Sequence, residues 1–340
     1  MRIYRNSNKG DIIMKYNLIN KGLKFIFNPN YRVDILAGIG WYNNMDDRKY
    51  LEKIFKAVMG YSLDLDNPKT FNEKIQWLKL NDRKPEYTMM VDKFKVRDYI
   101  AEKIGNEYLV PLLGVWDDPN QINFEKLPNQ FVLKCNHNSG LGMCICKDKT
   151  KLNFNEVRAN LRNGLNQDYY LTGREWPYKN VSRKIICEKY MEDAESQKIF
   201  DCKVKENCNE NKVKLKELKD YKFFCFDGKV KLFKIDYDRF VYHRANYYDG
   251  TDKRLLYFGE EVCPPDFERQ LDIPVNINDM ISLAEKLSEG FPFLRVDFYN
   301  VKNRIFFGEL TFYPASGFGR FVPPEWDEKI GSWLRLPKIN

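Results

Sequence analysis

The chain has 340 residues and a mass of 40.6 kDa, with 43% hydrophobic residues, 31% charged residues and a net charge of +8. This composition is typical of a folded globular protein and excludes wholesale disorder, and the length allows two or three domains. No apolar run reaches the roughly 18 residues that a membrane span needs, and the N-terminus lacks the apolar core of a secretory signal. We therefore expect a cytoplasmic protein.

The basic excess is concentrated at the front of the chain. Residues 1–60 contain eleven Lys or Arg against five acids, which is +6 of the total charge. Such a segment, with aliphatic and aromatic residues among its charges, suits an interfacial helix at the negative inner face of a membrane. A helix that packs on the protein body with its basic face in solvent is the alternative, and the sequence leaves both open.

The cysteines and histidines argue against a zinc site of the usual spacing. Eight cysteines form no CxxC pair, and His137 and His243 are the only two histidines. We expect reduced thiols, several of them buried in strands.

Helical patterning dominates the first hundred residues. The spacing of apolar residues predicts a helix over 50–59. A capping box of Thr70 and Glu73 begins a second helix over 71–80. A third helix is predicted over 93–104, after a cap at the preceding aspartate.

Short strands with β-branched or aromatic residues follow. They are predicted over 131–134, 143–146, 185–187, 221–226, 230–235, 293–299 and 305–312. Asp227-Gly228 predicts a tight hairpin turn, a helix is expected over 275–287, and residues 201–219 are typical of a surface insertion. The predicted class is α+β, with a helical front and antiparallel strands behind it.

Two acids on the last pair of strands are the strongest functional signal. Asp297 and Glu309 lie on adjacent predicted strands, where carboxylates at the same level converge and suit Mg²⁺. Thr311 shares a face with Glu309, and Arg295 shares a face with Asp297. The alternative is an ordinary hairpin with solvent-facing acids. It is weakened because both acids lie in apolar, aromatic strands, where an unpaired carboxylate is costly.

Two further segments offer groups that suit a nucleotide. Residues 136–142 form a loop of small residues after Lys134, and their backbone N–H groups are placed to cover phosphates. Residues 188–191 end a strand, where exposed backbone suits the edge of an adenine. The alternatives are a common glycine-rich hairpin loop and a plain strand edge that leads into a polar loop.

The order of these segments resembles the ATP-grasp superfamily, and within it the TupA-like branch associated with teichuronopeptide biosynthesis. The resemblance rests on FNEKIQWLKLNDRKP, VDKFKVRDYIAEKIG, DYKFFCFDGKVK and ELTFYPASGFG, and covers about residues 50–336. It implies an ATP-grasp fold, with two α+β lobes of antiparallel sheet that hold ATP between them. It also implies a helical N-terminal region.

The resemblance further implies site residues. Those expected to contact ATP are Lys93, Arg97, Lys134, Ser139, Gly140, Gly142, Glu188, Lys189, Met191 and Glu195. Which of Lys93 and Arg97 reaches the phosphates is left open. Glu188 matches the hinge acid, and Glu195 matches an acid that holds the ribose hydroxyls.

The remaining implied roles concern the metal and the acceptor. Asp297 and Glu309 match Mg²⁺ ligands, and Thr311 stands where relatives usually carry Asn, which puts a third ligand in doubt. Arg295 matches the arginine near the acyl phosphate, and Lys222 matches a second lysine close to the phosphates; both are expected to be catalytic. Ser316 and Gly317 match the loop that faces the acceptor substrate. Separately from the resemblance, Arg239, Arg244 and Arg174 are spare cations that suit a uronate or a diphosphate, and the alternative for each is an ordinary surface arginine.

The expected activity is that of an ATP-dependent carboxylate–amine ligase working through an acyl phosphate. The branch points to a sugar uronate, such as glucuronate carried on a nucleotide or lipid, joined to an amino acid or amino alcohol for a capsule or other surface polysaccharide. We expect no nucleic-acid partner. A glycosyltransferase, with Asp64 and Asp66 as a DxD pair in a parallel sheet, and a non-catalytic nucleotide- or glycan-binding protein are the alternatives.

The expected domains follow the predicted elements. They are a basic helical region over 1–60, an N-terminal α+β domain over 61–130, a small ATP-grasp lobe over 131–190 and a C-terminal lobe with the metal site over 191–340.

Overall fold

The computed structural model describes residues 25, 27–192, 198–199, 214–215, 218–239 and 242–338. The helices of this part are α1 (Pro29–Gly38), α2 (Asp47–Met59), α3 (Phe71–Asn81), α4 (Glu86–Val91), α5 (Val96–Lys103), α6 (Phe154–Asn166), α7 (Tyr169–Gly173), α8 (Ile277–Leu287) and α9 (Glu325–Trp333). In the part of the chain that is described, no helix combines the length and apolar character that crossing a bilayer requires.

Two antiparallel sheets form the centre of the molecule. The small sheet contains β1 (Leu112–Trp116), β2 (Phe131–Cys135), β3 (Cys144–Cys146) and β4 (Ile185–Lys189), in the order β1-β4-β2-β3. The large sheet contains β7 (Asp220–Phe226), β8 (Lys229–Tyr237), β9 (Arg244–Asp249), β10 (Leu255–Leu256), β12 (Phe293–Val301) and β13 (Arg304–Thr311), in the order β10-β9-β8-β7-β12-β13. The predicted α+β class with antiparallel sheets is confirmed.

Two pairs of very short strands complete the fold. They are β5 (Lys198–Ile199) with β6 (Lys214–Leu215), and β11 (Gly259–Glu260) with β14 (Phe321–Val322). The first pair flanks the predicted surface insertion. Most of that insertion lies outside the described residues, as do nearly all residues of the predicted interfacial helix.

Local sequence explains how the main helix of the front region begins. The Thr70 hydroxyl accepts a hydrogen bond from the Glu73 backbone N–H at 3.1 Å, and the Glu73 carboxylate accepts one from the Thr70 N–H at 3.0 Å. The helix α3 then packs on the large-sheet side of the core, where the rings of Phe71 and Phe293 are 5.1 Å apart. The predicted capping box is confirmed.

The helix predicted over 93–104 begins later, at Val96. The Asp92 carboxylate accepts hydrogen bonds from the N–H groups of Phe94 and Lys95, which holds a non-helical turn. The Lys93 N–H donates instead to the Asn136 carbonyl at 3.1 Å. A tertiary hydrogen bond to the small sheet therefore delays the helix by three residues.

Two tight turns fix the registers of the large sheet. Asp227 and Gly228 have φ of 48° and 73°, and Lys302 and Asn303 have φ of 50° and 61°. Two consecutive residues with positive φ form the turn that matches the twist of antiparallel strands. Both hairpins thereby place their polar residues at set positions across the strands.

The domain boundaries proposed from the sequence stay predictions. The strand β1 lies within residues 61–130, and it pairs with β4 in the same sheet as β2. The small sheet therefore includes chain from before residue 131.

Candidate active site

The two acids singled out in the sequence lie directly opposite each other. Asp297 of β12 pairs in register with Glu309 of β13, and a bulge follows because Phe298 pairs with Phe307. Gly308 is the extra residue of this bulge, and a Cβ there would lie 3.0 Å from the Asp297 carbonyl oxygen. A side chain at Gly308 would therefore press on the Asp297 backbone, and the bulge allows the two carboxylates to face the same cleft.

Arg295 connects this pair. Its Nε and Nη2 donate to the two oxygens of Asp297 at 2.7 Å each, and Nη2 also donates to Oε1 of Glu309 at 2.8 Å. Asp297 has only 3% of its side chain exposed, whereas Glu309 has 43% exposed. The buried acid thus anchors the arginine, and the open acid faces the cleft.

The charges decide the protonation states of this group. Burial alone would raise the pKa of Glu309, but nearby cations, Arg295 and Lys222 foremost, lower it to about 2. Burial raises the pKa of Asp297, and Arg295 and Lys222 oppose that rise. Glu309 is therefore a carboxylate at neutral pH, ready to bind a cation.

The hydroxyl of Thr311 is hydrogen-bonded to Arg295. Its hydroxyl accepts a hydrogen bond from Nη2 of Arg295 at 3.0 Å and lies 3.3 Å from Oε1 of Glu309. The hydroxyl is therefore engaged with protein groups.

The carboxylate pair fits Mg²⁺. Mg²⁺ prefers a few carboxylate oxygens on a rigid support and keeps several water ligands. Asp297 and Glu309 provide two such groups on adjacent strands, and the half-exposed Glu309 leaves room for ligands from the cleft. A magnesium role for these residues stays a prediction.

Lys222 extends the charged group across the sheet. It lies opposite Asp297 in register and its Nζ is 2.6 Å from Oδ2 of that residue and 3.3 Å from Asp220. Lys234 on the next strand pairs with Glu260 at 3.1 Å. A buried network of alternating charges therefore covers the cleft face of the large sheet.

The small sheet presents the predicted phosphate-binding cations. Lys134 of β2 lies 2.7 Å from Glu188 of β4, and Arg97 of α5 lies 3.6 Å from the same carboxylate. Lys93 donates to the Asn138 carbonyl oxygen at the start of the loop. Lys93 and Lys134 are among the cations that lower the pKa of Glu309, so they lie near the carboxylate pair of the large sheet.

The small-residue loop has buried stems and an exposed tip. Asn138 is buried and donates to the Gly164 carbonyl at 3.1 Å, whereas Ser139 and Gly140 are exposed. Gly142 has φ of +72°, and a Cβ there would lie 2.8 Å from the Cα of Gly164. Gly142 therefore allows the loop to dock on α6, while the tip at Ser139 and Gly140 is exposed.

His137 anchors the loop. Its ring is 1% exposed, and Nε2 lies 3.1 Å from the Gln167 carbonyl oxygen. Burial lowers the pKa of His137, so the ring is neutral at pH 7.

The segment over 188–191, where contact with adenine was expected, borders a cavity of about 260 Å³. Lys189 and Met191 line it, together with Leu109 and with Phe306 of β13. The bulge pairs Phe306 with Tyr299, two residues beyond Asp297, so Phe306 shares the cleft face with the carboxylates. Glu195, expected at the ribose, lies outside the described residues.

The loop after β13 is held by a lysine that the sequence analysis missed. Nζ of Lys79 is fully buried and donates to the Gly173 carbonyl at 2.6 Å, the Ser316 carbonyl at 2.7 Å and the Ser316 hydroxyl at 2.9 Å. Gly317 packs on α3, where a Cβ would lie 2.6 Å from Ile75. Glu175 is also buried here, and burial raises its pKa.

A sequence signal for this lysine exists. Lys79 follows Ile75 by four residues, so it lies on the apolar face of the helix predicted over 71–80. A lysine in that position needs buried partners, and the loop carbonyls provide them.

The three spare arginines differ. Arg174 is 2% exposed and binds the carbonyls of Tyr42 and Asn43, so it holds the front helices. Arg244 donates to the Pro265 carbonyl at 3.0 Å. Arg239 is half-exposed and lies 2.6 Å from Asp220, so of the three it lies nearest the charged network.

The transferase alternative finds no support. Asp64 holds a turn by accepting from the N–H groups of Asp66 and Asn67. Every strand pair among the described residues is antiparallel, whereas that alternative requires a parallel sheet.

No curated protein matches the sequence. Among solved structures, a D-alanine–D-alanine ligase from Helicobacter pylori has a TM-score of 0.40 and 13% identity, over 78% of this chain and 69% of that chain. A phosphoribosylamine–glycine ligase from Thermotoga maritima has a TM-score of 0.36 and 13% identity, over 68% of this chain and 51% of that one.

Another solved structure, a D-alanine–D-alanine ligase from Bacillus anthracis complexed with ATP, has a TM-score of 0.35 and 16% identity, over 66% of this chain and 55% of that chain. The chain thus spans about two thirds of the first of these structures and about half of the other two. The TupA-like ATPgrasp family matches residues 73–335, well over half of the chain. The chain belongs to the TupA-like ATP-grasp family.

Proposed function

We propose that this protein joins a sugar uronate to a small amine as an amide, using ATP and passing through an acyl phosphate. The observation that carries the proposal is the guanidinium of Arg295, which donates to both Asp297 and Glu309 on the cleft face of the large sheet. The cations Lys93 and Lys134 face this group from the other side of the cleft. Phosphoryl transfer needs this arrangement, because its transition state carries charge that cations must offset.

The nucleotide is proposed to lie between the two sheets. The cavity beside Lys189 and Met191, with Phe306 as an apolar wall, suits the adenine ring. Lys134 and the loop tip at Ser139 and Gly140 then suit the phosphates. This orientation points the γ-phosphate toward the Arg295 group.

The chemistry follows in two steps. A carboxylate oxygen of the uronate attacks the γ-phosphorus, the bond to the bridging oxygen breaks, and ADP leaves. The amine nitrogen then attacks the acyl carbon, phosphate leaves, and the amine loses a proton. Bound Mg²⁺ would neutralise phosphate oxygens at Asp297 and Glu309. Arg295 stays within reach of the transferred group throughout because Asp297 and Thr311 hold it in place.

The acceptor is proposed to bind at the loop that follows β13. Ala315 and Ser316 have φ of 47° and 53°, a left-handed conformation that costs about 1–2 kcal/mol per residue. Lys79 opposes that cost with two hydrogen bonds to Ser316, and a third hydrogen bond, to the Gly173 carbonyl, ties the loop to α7. A loop held in this way presents a fixed surface to a substrate.

The substrate class rests on the family and on the cations around the cleft. TupA-like proteins are tied to surface polysaccharides, in which uronates are common carboxylates. Arg239, half-exposed beside the charged network, suits a uronate or a sugar-linked diphosphate. A role in capsule or another surface polysaccharide, and contact of the basic front segment with the inner membrane face, complete the proposal.

ADP release by the purified protein tests it. The protein is incubated with Mg²⁺–ATP and a matrix of uronates, free or nucleotide-linked, against amino acids and amino alcohols. We expect ADP only where both partners are present, with the amide found by mass spectrometry. ATP binding without ADP from any pair would instead indicate a binding protein, and release of nucleotide from a sugar nucleotide without ATP would indicate a transferase.

A further inference from the structure

A second group of metal-ligating side chains lies at the far side of the charged network. Asp236 of β8, His243 just before β9 and Cys263 after β11 bring a carboxylate oxygen, an imidazole nitrogen and a thiol sulfur within 4.8 Å of one another. The three residues come from separate segments and their spacing matches no common zinc motif. This group is distinct from the pair Asp297 and Glu309.

Asp236 is buried, and apart from His243 its ionic partners lie near the outer limit of an ion pair. Its side chain is 4% exposed, and Oδ1 has no hydrogen-bond partner. Lys234, Lys222 and Arg239 lie 3.6, 3.9 and 4.0 Å away. Each of these cations lies closer to a different acid, at 2.6–3.1 Å. The charge of Asp236 is therefore balanced only at a distance, while a buried carboxylate oxygen remains without a donor.

The other two groups are oriented toward the same point. Nε2 of His243 is buried without a hydrogen-bond partner and lies 3.4 Å from Oδ2 of Asp236. Cys263 is 4% exposed and free, and its N–H donates to the Glu260 carbonyl at 3.1 Å, which fixes the turn that carries the thiol. Two unpartnered buried atoms and one thiol thus converge.

We infer that Asp236, His243 and Cys263 form a site for a zinc-class transition-metal ion. A thiolate and an imidazole together select a borderline-soft cation such as Zn²⁺ over Mg²⁺ or Ca²⁺, and three protein ligands leave one position for water. Zinc bonds of about 2.0–2.3 Å place ligand atoms roughly 3.3–3.7 Å apart, so small side-chain movements close the site. His243, with 36% of its side chain exposed, gives the ion access from solvent.

The ion would join three segments beside the active site. Asp236 lies 3.9 Å from Lys222, which contacts Asp297. A metal here would fix the turn after β11 and the start of β9 to β8 of the large sheet. The inference does not depend on the proposed reaction.

Metal binding by the full-length protein tests the inference. The protein is stripped with a chelator and titrated with Co²⁺, because thiolate ligation produces a charge-transfer absorption that the carboxylate pair Asp297 and Glu309 cannot produce. We expect one equivalent of Co²⁺ with this band, displaced by one equivalent of Zn²⁺. Absence of the band in the wild-type protein overturns the inference.

Variants locate the site. Cys263→Ser is expected to remove the band. His243→Gln is expected to weaken Co²⁺ binding by roughly 10- to 100-fold or more, because loss of a group that merely supports a metal ligand already costs that much. The buried Cys146→Ser, and Cys202→Ser with Cys208→Ser, serve as controls that keep the band. A band that survives in Cys263→Ser or disappears in a control contradicts the assignment. Should Cys263→Ser fail to fold, the partly exposed His243→Gln decides.

Discussion

Nη2 of Arg295 donates to Oε1 of Glu309 at 2.8 Å while the same guanidinium holds both oxygens of Asp297. One planar group therefore bridges two strands, and its fork geometry fits carboxylates in a way that a lysine cannot reproduce. Any transferred phosphoryl group at this position meets a cation whose orientation is already set.

Arg295→Lys tests this orientation. The ammonium keeps the charge beside the buried Asp297, so the fold should survive with little change in melting temperature. Loss of the fork should lower kcat for ADP release by roughly 100- to 1,000-fold, as loss of an aligned donor typically does. Arg320→Lys, whose side chain is 53% exposed, is the matched control. An unchanged kcat in Arg295→Lys would show that charge alone suffices.

Asp297→Asn and Glu309→Gln are each expected to abolish turnover because each removes a proposed Mg²⁺ ligand. Their effects on stability should differ. Asp297 is buried and bound by both Arg295 and Lys222, so its replacement leaves two cations short of a partner and lowers the free energy of unfolding. Replacement of the half-exposed Glu309 should change the free energy of unfolding only slightly.

Denaturant unfolding beside ADP release separates these effects, and Glu261→Gln, 53% exposed, is the control. Activity retained in either variant would be evidence against the metal assignment.

Thr311 offers a finer distinction. Thr311→Val removes the hydroxyl that accepts from Arg295, and hydrogen bonds to charged groups are worth about 1.5–3 kcal/mol. If the hydroxyl only orients the arginine, kcat falls roughly tenfold or more and the Mg²⁺ concentration for half-activity stays the same. That concentration is measured at saturating ATP, with Thr311→Ser as the variant that keeps the hydroxyl. A large rise in the Mg²⁺ requirement of Thr311→Val would instead make Thr311 a metal ligand.

The sequence predicted the parts of this site that depend on local pattern. Strand periodicity alone placed Asp297 and Glu309 on neighbouring strands, and the register confirms that they face each other. The capping box at Thr70 and the turn at Asp227 are also local, because neighbouring side chains and backbone groups determine them.

Features that depend on distant contacts were not predictable. The start of α5 is set by a hydrogen bond from Lys93 to Asn136, more than forty residues away. The bulge at Gly308 exchanges the sheet faces on which the side chains of Phe306 and Phe307 lie. Apart from the glycine itself, no residue of the strand predicts the bulge. Lys79 contacts the loop over 314–317, the proposed acceptor loop, only because tertiary packing brings α3 next to it.

Gly142 and Gly140 allow a matched test of the loop. Both have positive φ, so alanine at either position carries a similar backbone cost of about 1–2 kcal/mol. Only at Gly142 does a Cβ meet backbone, 2.8 Å from the Cα of Gly164. Gly142→Ala should therefore destabilise the protein more and raise KM for ATP more than Gly140→Ala, measured by thermal unfolding and ADP release. Equal effects would mean that docking on α6 does not position the loop.

Lys79 provides a pH test of the acceptor loop. Burial lowers the pKa of its ammonium to about 7, although Glu175 and Asp47 partly oppose the shift. Only the ammonium donates three hydrogen bonds, so the loop at Ser316 loses support as pH rises through about 7. The value of kcat/KM for the acceptor should fall above that pH, while KM for ATP should change little.

Lys79→Met should have a lower kcat/KM than the wild type below pH 7 and should not show the fall in kcat/KM above that pH. The ratio of wild type to Lys79→Met at each pH cancels titration of the acceptor amine itself, and the exposed Lys56→Met is the control. A ratio that stays constant from pH 6 to pH 9 would show that titration of Lys79 does not cause the change in kcat/KM. A ratio that falls toward one above pH 7 would identify the charged lysine as the group that holds the loop for catalysis.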